Sequence, residues 1–339
     1  MSAPVVIVGT GLVSSVGLTA PAACAAIRAG VANPTESRFI DSTGEIIMAH
    51  QVPLERPWRG LTRLTRMAAM AIGECLSEVP REDWARIPLL LCVAERERPG
   101  RLDGVDDDLF ARIQKELGTE FSQDSMVIPE GRVAAAIALS YARRIIGEKG
   151  APFALIAASD TLLTAATLNV YERDRRLLTP ENSNGFMPGE SASALLIAPA
   201  DSGAGTVCTG IGFGSEQARI DSDEPLRADG LASAHRAALI DARFDIGDLL
   251  FRVTDLSGEQ YYFKEADLAL SRLLRVRQED PQLWHPAEYT GACGAAIGGI
   301  CLALVHAAFT KDYAPGPAAL LHFSEDAGPR ASVVAQRRP

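Results

Sequence analysis

The chain has 339 residues, enough for two ordinary cores or one large layered unit. With 47% hydrophobic and 22% charged residues, its composition excludes a disordered polypeptide. A formal net charge of −10 argues against nucleic acid or an anionic membrane surface as the main partner.

Short β-branched runs alternate with longer helical ones. Residues 5–8, Val-Val-Ile-Val, predict a strand; Gly9-Thr10-Gly11 follows, and then a helix over about 20–29. Residues 61–79 place Leu64, Met67, Ala68, Ala71, Ile72 and Cys75 at helical spacing. The unbroken apolar run 87–93 suits a strand buried on both faces. Asp106-Asp107-Asp108 reads as a solvated helix start, not a metal loop. A small-residue helix is predicted over 133–146, a strand over 153–157, a helix over 162–170 and a strand over 193–197. The second part repeats the rhythm, with strands over 207–211 and 249–253 and helices over 231–241 and 265–276. An alanine- and glycine-rich helix over 295–309 and strands over 318–323 and 331–335 close it. This alternation predicts α/β architecture with helices covering sheets.

The stretch Met1-Ser2-Ala3-Pro4 before the first apolar run carries no basic n-region, so no signal peptide is expected. The longest apolar segment, 292–309, is interrupted by glycines and His306, so no membrane span is expected either. Six cysteines (24, 75, 92, 208, 293 and 301) are scattered through apolar runs without metal-ligand spacing. They read as reduced, buried residues of a cytoplasmic protein, with no metal and no cofactor.

Four motifs, in order, span the chain. The opening Val5-Val6-Ile7-Val8-Gly9-Thr10-Gly11-Leu12-Val13-Ser14-Ser15-Val16-Gly17 is similar to the "VVVTGLGMVSPLG" start of β-ketoacyl-(acyl carrier protein) synthases of the thiolase-like superfamily. Ala157-Ala158-Ser159-Asp160-Thr161-Leu162-Leu163 resembles that family's "AGGADSLL". Gly185-Phe186-Met187-Pro188-Gly189-Glu190 resembles "DGFVPGEGAGALVL", and Gly291-Ala292-Cys293-Gly294-Ala295 resembles "GAAGA". The resemblance implies a thiolase-like fold: two duplicated sheet-helix halves, residues 1–200 and 201–339, in an α-β-α-β-α arrangement. Gly185, Gly189, Glu190, Gly291 and Gly294 then have architectural roles, the glycines permitting tight turns and Glu190 accepting hydrogen bonds that hold its turn.

The chemistry of the family needs a cysteine at a helix N-terminus, where the dipole lowers the thiol pKa, and two histidines. In place of the family's "TACASS" the chain reads Pro129-Glu130-Gly131-Arg132-Val133, so Glu130 or Gly131 takes the nucleophile position. The "AHGTGT" loop corresponds to 253–259, with Asp255 at the first histidine, and Glu288 stands for the second. The C-terminal "FGFGG" loop reads Phe323-Ser324-Glu325-Asp326-Ala327-Gly328, which removes glycine backbone suited to an oxyanion. The resemblance therefore implies a non-catalytic accessory, adaptor or chain-length-factor-like subunit. Its rival is an acyltransferase or acyl-thioester-binding protein with a remodelled pocket, built from Glu130, Asp255 and Glu288 or from Cys293 with His285. The chain's small size relative to elongating synthases argues for trimmed pocket caps.

Partners follow from the same resemblance: a homodimer, or a pair with an active synthase subunit, and an acidic carrier protein or other client if a basic patch exists. Arg143, Arg144, Arg173, Arg175 and Arg176 are the candidates for that patch, against a plainer reading as solvated helix faces. The apolar strand containing Phe153, Leu155 and Ile156 is expected at a sheet edge, covered by the partner.

Overall fold

The structure, a computed structural model, describes residues 3–203, 205–275 and 281–338. The first part of the chain runs β1 (Val5–Val13), α1 (Ala20–Arg28), a hairpin of β2 (Thr35–Ile40) and β3 (Ile46–Ala49), and α2 (Gly60–Cys75). It continues with β4 (Leu89–Cys92), α3 (Asp108–Leu117), β5 (Met126–Ile128), α4 (Ala134–Lys149), β6 (Ala154–Thr161), α5 (Ala165–Arg173) and β7 (Glu190–Pro199). The second part runs β8 (Thr206–Ser215), α6 (Asp229–Ala242), β9 (Phe251–Thr254), α7 (Gln260–Ser271) and β10 (Gln282–Trp284). It closes with α8 (Ala287–Thr290), α9 (Ile297–Thr310), β11 (Ala318–Ser324) and β12 (Pro329–Arg337).

The strand order β5-β4-β6-β7-β1 continues as β8-β12-β11-β9-β10, joined where Val5–Ile7 pairs antiparallel with 206–208. Replacing β1, β4, β5, β6 and β7 by β8, β9, β10, β11 and β12 maps one half onto the other. The strand directions match as well: β6-β4-β5 and β11-β9-β10 are parallel, and β6-β7-β1 and β11-β12-β8 are antiparallel. The duplication expected from the resemblance is thus present in the topology.

Helices α4 and α9 fill the space between the halves. Their core joins Leu90, Ile156, Ala158 and Ile197 of one half to Val253, Leu321, Phe323 and Val333 of the other. Small residues make this possible, because two backbones come together only where side chains are short. A Cβ at Gly298 would lie 2.6 Å from that of Ala135. On the outer faces, α2 and α3 pack through Leu64, Met67, Ile72 and Leu109, and α6 packs through Ala238 and Leu239. The five layers are therefore α-β-α-β-α.

Short elements escaped the sequence pattern. β5 and β10 have three residues each, too few for a period to register, and the β2–β3 hairpin is mostly polar or exposed. Asp107 caps α3, as a solvated helix start should. The helix expected over 265–276 begins five residues earlier and ends at Ser271, and residue 276 lies outside the described residues.

The interface expectation needs correction. β6 is an interior strand, hydrogen-bonded to β7 on one side and β4 on the other. Leu155 faces the outer core and Ile156 the inner one, both buried, and Phe153 is half-buried against α2's cluster. Their apolarity reflects burial on two faces, not a covered edge. The edge of this half is β5, where Met126 is 37% exposed.

The five arginines also disperse. Arg143 is buried against Asp241, Arg176 turns inward, and Arg144 and Arg173 pair with Glu148 and Asp174 on the surface. All six cysteines are buried and unpaired. Among the described residues no helix is long and apolar enough to cross a membrane.

Where α6 meets the sheet, its His235 and His322 of β11 are both fully buried, with ring centroids 5.4 Å apart. His235 Nδ1 lies 2.7 Å from the Ser332 hydroxyl. Burial, and after it the Arg252 charge, hold the His235 pKa down at about 3. Burial, His235, Arg252 and Arg330 push His322 well below its ordinary value. Both rings are therefore neutral in the fold, and this stabilisation is present above the unfolded-state pKa near 6.5 and lost as pH falls towards the folded value. Each contributes a loss of up to about 1.4 kcal/mol per pH unit below 6.5. Denaturant midpoints should fall between pH 6.5 and 5, and His322→Leu should flatten that slope. A midpoint constant over this range would contradict the assignment.

Candidate functional site

Each central helix is entered through a glycine with φ of +54°, Gly131 before α4 and Gly294 before α9. A single turn of 3-10 helix follows each of them. The amide after each glycine donates to a carboxylate from the other half. Arg132 N–H reaches Glu325 Oε2 at 2.8 Å, and Ala295 N–H reaches Asp160 Oδ2 at 2.8 Å. These two bonds are related by the pseudo-twofold axis. The glycines are required sterically as well as by φ. A Cβ at Gly131 would overlap the carboxylates of Glu325 and Glu95; one at Gly294 would overlap Asp160 and lie 2.7 Å from Arg98.

Around these two turns a buried ionic network fills the space between the halves. Arg98 grips Glu95 with two bonds (Nε–Oε1 2.8 Å, Nη2–Oε2 2.6 Å) and reaches Asp160 at 2.6 Å. Arg132 contacts Asp326 and lies 3.0 Å from the Tyr262 hydroxyl, which itself donates to Asp326. Arg176 takes Glu259 at 2.7 and 2.8 Å and also contacts Asp326. Glu95, Arg98, Asp160, Glu259 and Glu325 are all buried. Removing one partner from such a set strands an uncompensated charge, at a cost of roughly 3–5 kcal/mol.

The two carboxylates over Gly131 differ in protonation. Burial opposes ionisation of Glu95, but the Arg98 guanidinium holds it below the usual carboxylate range. Burial, then the Glu95 charge, push Glu325 up to about 8. Of the two, Glu325 is thus the one whose charged form is disfavoured, as expected where two carboxylates share a site. The remaining cavity beside Cys293 and Gly294 is about 30 Å³, room for water alone. A wider cleft of about 600 Å³ adjoins it, lined by the network residues Glu95, Arg98, Arg176, Glu259, Glu325 and Asp326 and, further out, by Arg175, Arg219 and Asp221.

Of the sequence-derived candidates, Asp255 and Cys293 line the same small cavity with Gly294, and Glu130, Glu288 and His285 lie apart from it. Gly131 sits under the network, whereas neighbouring Glu130 is exposed. Asp255 is buried and accepts the Ser324 N–H at 2.7 Å, an architectural bond at the end of β11. Glu288 is exposed on α8 and lies 3.7 Å from His285; Ala287 takes the inward place. Cys293 lines the small cavity, its thiol pushed up by burial to about 12, while His285 lines a different cavity. The pairings proposed for a remodelled pocket, Glu130–Asp255–Glu288 and Cys293–His285, are therefore not formed.

The motif residues hold the loops around the chamber. Glu190 is buried, bonded to Arg63 and accepting from Val52 N–H (2.9 Å) and the Thr161 hydroxyl (3.1 Å). Gly189 N–H donates to Ala292 carbonyl and Ala292 N–H to Met187 carbonyl, both at 2.9 Å, so the two glycine motifs are stitched together. A Cβ at Gly189 would lie 2.5 Å from the Thr290 carbonyl, and Gly291 has a φ of +73°. At Gly185 a Cβ would lie 2.5 Å from the Leu177 backbone.

Sequence reasoning missed Glu95, Arg98, Arg132, Arg176 and Glu259 as members of one network. A usable signal existed: Glu95-Arg96-Glu97-Arg98 follows directly on a wholly apolar strand, a place where charges turn inward or mark a site.

No protein-family model matches the sequence, and no curated protein does. Among solved structures, the ishigamide ketosynthase/chain length factor superposes with a TM-score of 0.82 at 18% identity, over 100% of both chains. A type II PKS acyl-carrier protein in complex with its ketosynthase, AntDE:AntF, gives 0.82 at 17% identity, again over 100% of both. A β-ketoacyl synthase from Burkholderia phymatum STM815 gives 0.74 at 15% identity over 100% of each. The chain therefore has the thiolase-like fold of ketosynthases.

The protonated Glu325 generates a prediction. Its folded pKa is raised, so its contribution to stability is full below the unfolded value near 4.5 and is lost as pH rises through about 8. Glu325→Gln mimics the protonated form. The wild type should lose stability between pH 7 and 9 in urea titrations, and the Gln variant should not. Parallel pH profiles for the two proteins would refute the raised pKa of Glu325.

Proposed function

We propose that this chain is a non-catalytic subunit of ketosynthase fold, chain-length-factor-like, that works by pairing with a second ketosynthase-fold chain. The halves divide at 1–200 and 201–339, in the turn between β7 and β8. The observation that carries the reading is the chamber itself. Gly131 has no side chain to attack a thioester, and the space above it is taken by the carboxylates of Glu325 and Glu95. The amide of Arg132, a natural donor to a substrate oxygen, is already bonded to Glu325. Beside Cys293 and Gly294 only about 30 Å³ remains, too little for an acyl chain, and the adjoining cleft of about 600 Å³ ends on the charged side chains of Glu95, Arg98, Glu259 and Glu325. Structural similarity to ketosynthase/chain length factor complexes supports the same direction.

The edge strand β5 is the surface on which we place the partner, because it leaves backbone donors and acceptors free on one side next to α4. An active synthase chain is the occupant favoured here, with a second copy of this chain as the other outcome. Incubated alone with malonyl-carrier protein, the protein should release no CO₂ above a protein-free control and gain no acyl mass. On sedimentation with its partner it should run as a two-chain species, and Met126→Asp, an exposed position, should return it to the 36.1 kDa monomer without unfolding it. Turnover of the malonyl group by the purified chain would overturn the proposal.

A further inference from the structure

A second cavity, of about 300 Å³, opens on the flank of the C-terminal half between α1, the β10–α8 turn and α9. Its volume falls within the range of small-molecule sites. Ile27, Leu283, Trp284, Tyr289, Leu304 and Tyr313 supply an apolar and aromatic wall. Phe251 backs Trp284, with ring centroids 5.0 Å apart, and Tyr313 lies within 27° of the Trp284 plane at 6.4 Å. The wall is thus braced from the core and does not depend on the bound molecule for its shape.

One end of this cavity is basic. The Arg28 guanidinium stands 4.0 Å from the Tyr313 ring centroid, and its N–H groups meet no carboxylate among the described residues. Past Arg28 and Tyr313 the surface continues as a notch of about 290 Å³ that includes Lys311 and has no acidic residue in its lining. Neighbouring Asp312 is drawn away by Arg337. At the opposite lip, Glu288 is engaged beside Tyr289 and His285. Two uncompensated cations flanking one aromatic ring are a local exception on a chain of net charge −10.

We propose that this cleft binds a small amphipathic organic anion, an aryl or short-chain carboxylate. Its apolar body lies against Trp284, Tyr289 and Leu304, and its carboxylate lies on Arg28 and Lys311. Each part of the ligand answers a part of the wall. A ring or short chain removes water from the aromatic face, and a carboxylate accepts the two parallel N–H bonds that a guanidinium presents. An amine of the same shape meets Arg28 and Lys311 with like charge.

Calorimetric titration of the full chain with 2-naphthoate, 2-naphthol and 2-naphthylmethylamine tests this. The naphthoate should bind at sub-millimolar concentration, the naphthol about tenfold more weakly and the amine not at all. Arg28→Ala, a surface change, should weaken naphthoate about tenfold and abolish its advantage over naphthol. Lys311→Ala should weaken it several-fold, and Trp284→Phe should remove the tryptophan fluorescence change on binding. Absence of naphthoate binding, equal binding of naphthol, or binding indifferent to both Arg28→Ala and Lys311→Ala would each overturn the proposal.

Discussion

The structure depends on one reciprocal interaction. Each half of the duplicated fold ends a strand region with a carboxylate, and each carboxylate crosses the pseudo-twofold to accept the first free amide of the other half's central helix. Asp160 serves Ala295, and Glu325 serves Arg132. A helix N-terminus leaves its first amides without intrahelical partners, and a buried one must find an acceptor. Both helix entries are buried, and at each the acceptor comes from the opposing half. The positive-φ glycines, the guanidinium of Arg98 and the absence of side chains at 131 and 294 all follow from fitting two carboxylates into that space.

Once the carboxylates are buried, the surrounding charges are dictated. An unpaired carboxylate in a dry interior is far too costly, so Arg98 bridges Glu95 to Asp160, and Arg132 and Arg176 hold Asp326 between them. The same arrangement, on the proposed reading, replaces ketosynthase chemistry by architecture. Acyl transfer needs a polarisable nucleophile, a vacant donor for the developing oxyanion and room for the substrate. On that reading Glu325 stands over Gly131 and accepts the Arg132 N–H that a substrate oxygen would need. A side chain introduced at Gly131 would meet the carboxylates of Glu95 and Glu325, so on the same reading a single cysteine there would not fit.

The sequence disclosed the fold through its glycines. Gly185, Gly189, Gly291 and Gly294 mark places where backbone meets backbone, and such places keep both residue type and spacing because nothing larger fits. Strand order was accessible only through the resemblance, since β5 and β10 are too short to show a period. Phe153–Ile156 misled for a physical reason: an apolar run is the same whether a strand is buried by its own sheet on both sides or by a partner at an edge. The site was less legible still. Asp255 and Glu288 were placed by linear correspondence, but α8 turns Glu288 outward beside His285 and brings Ala287 inward. Arg132 and Asp326 are 194 positions apart, and only the charges after β4 carried a local signal, so the assembly of the network is a product of tertiary geometry.

Hydrogen exchange at the two helix-entry amides tests the central claim most directly. If Glu325 and Asp160 hold these amides in a sealed interior, the Arg132 and Ala295 N–H groups should exchange only with global unfolding. Glu325→Ala should release Arg132 selectively, and Asp160→Ala should release Ala295. Fast exchange of Arg132 in the unaltered protein would mean that its amide is open to solvent and available to a substrate oxygen, and the account of a closed chamber would be wrong.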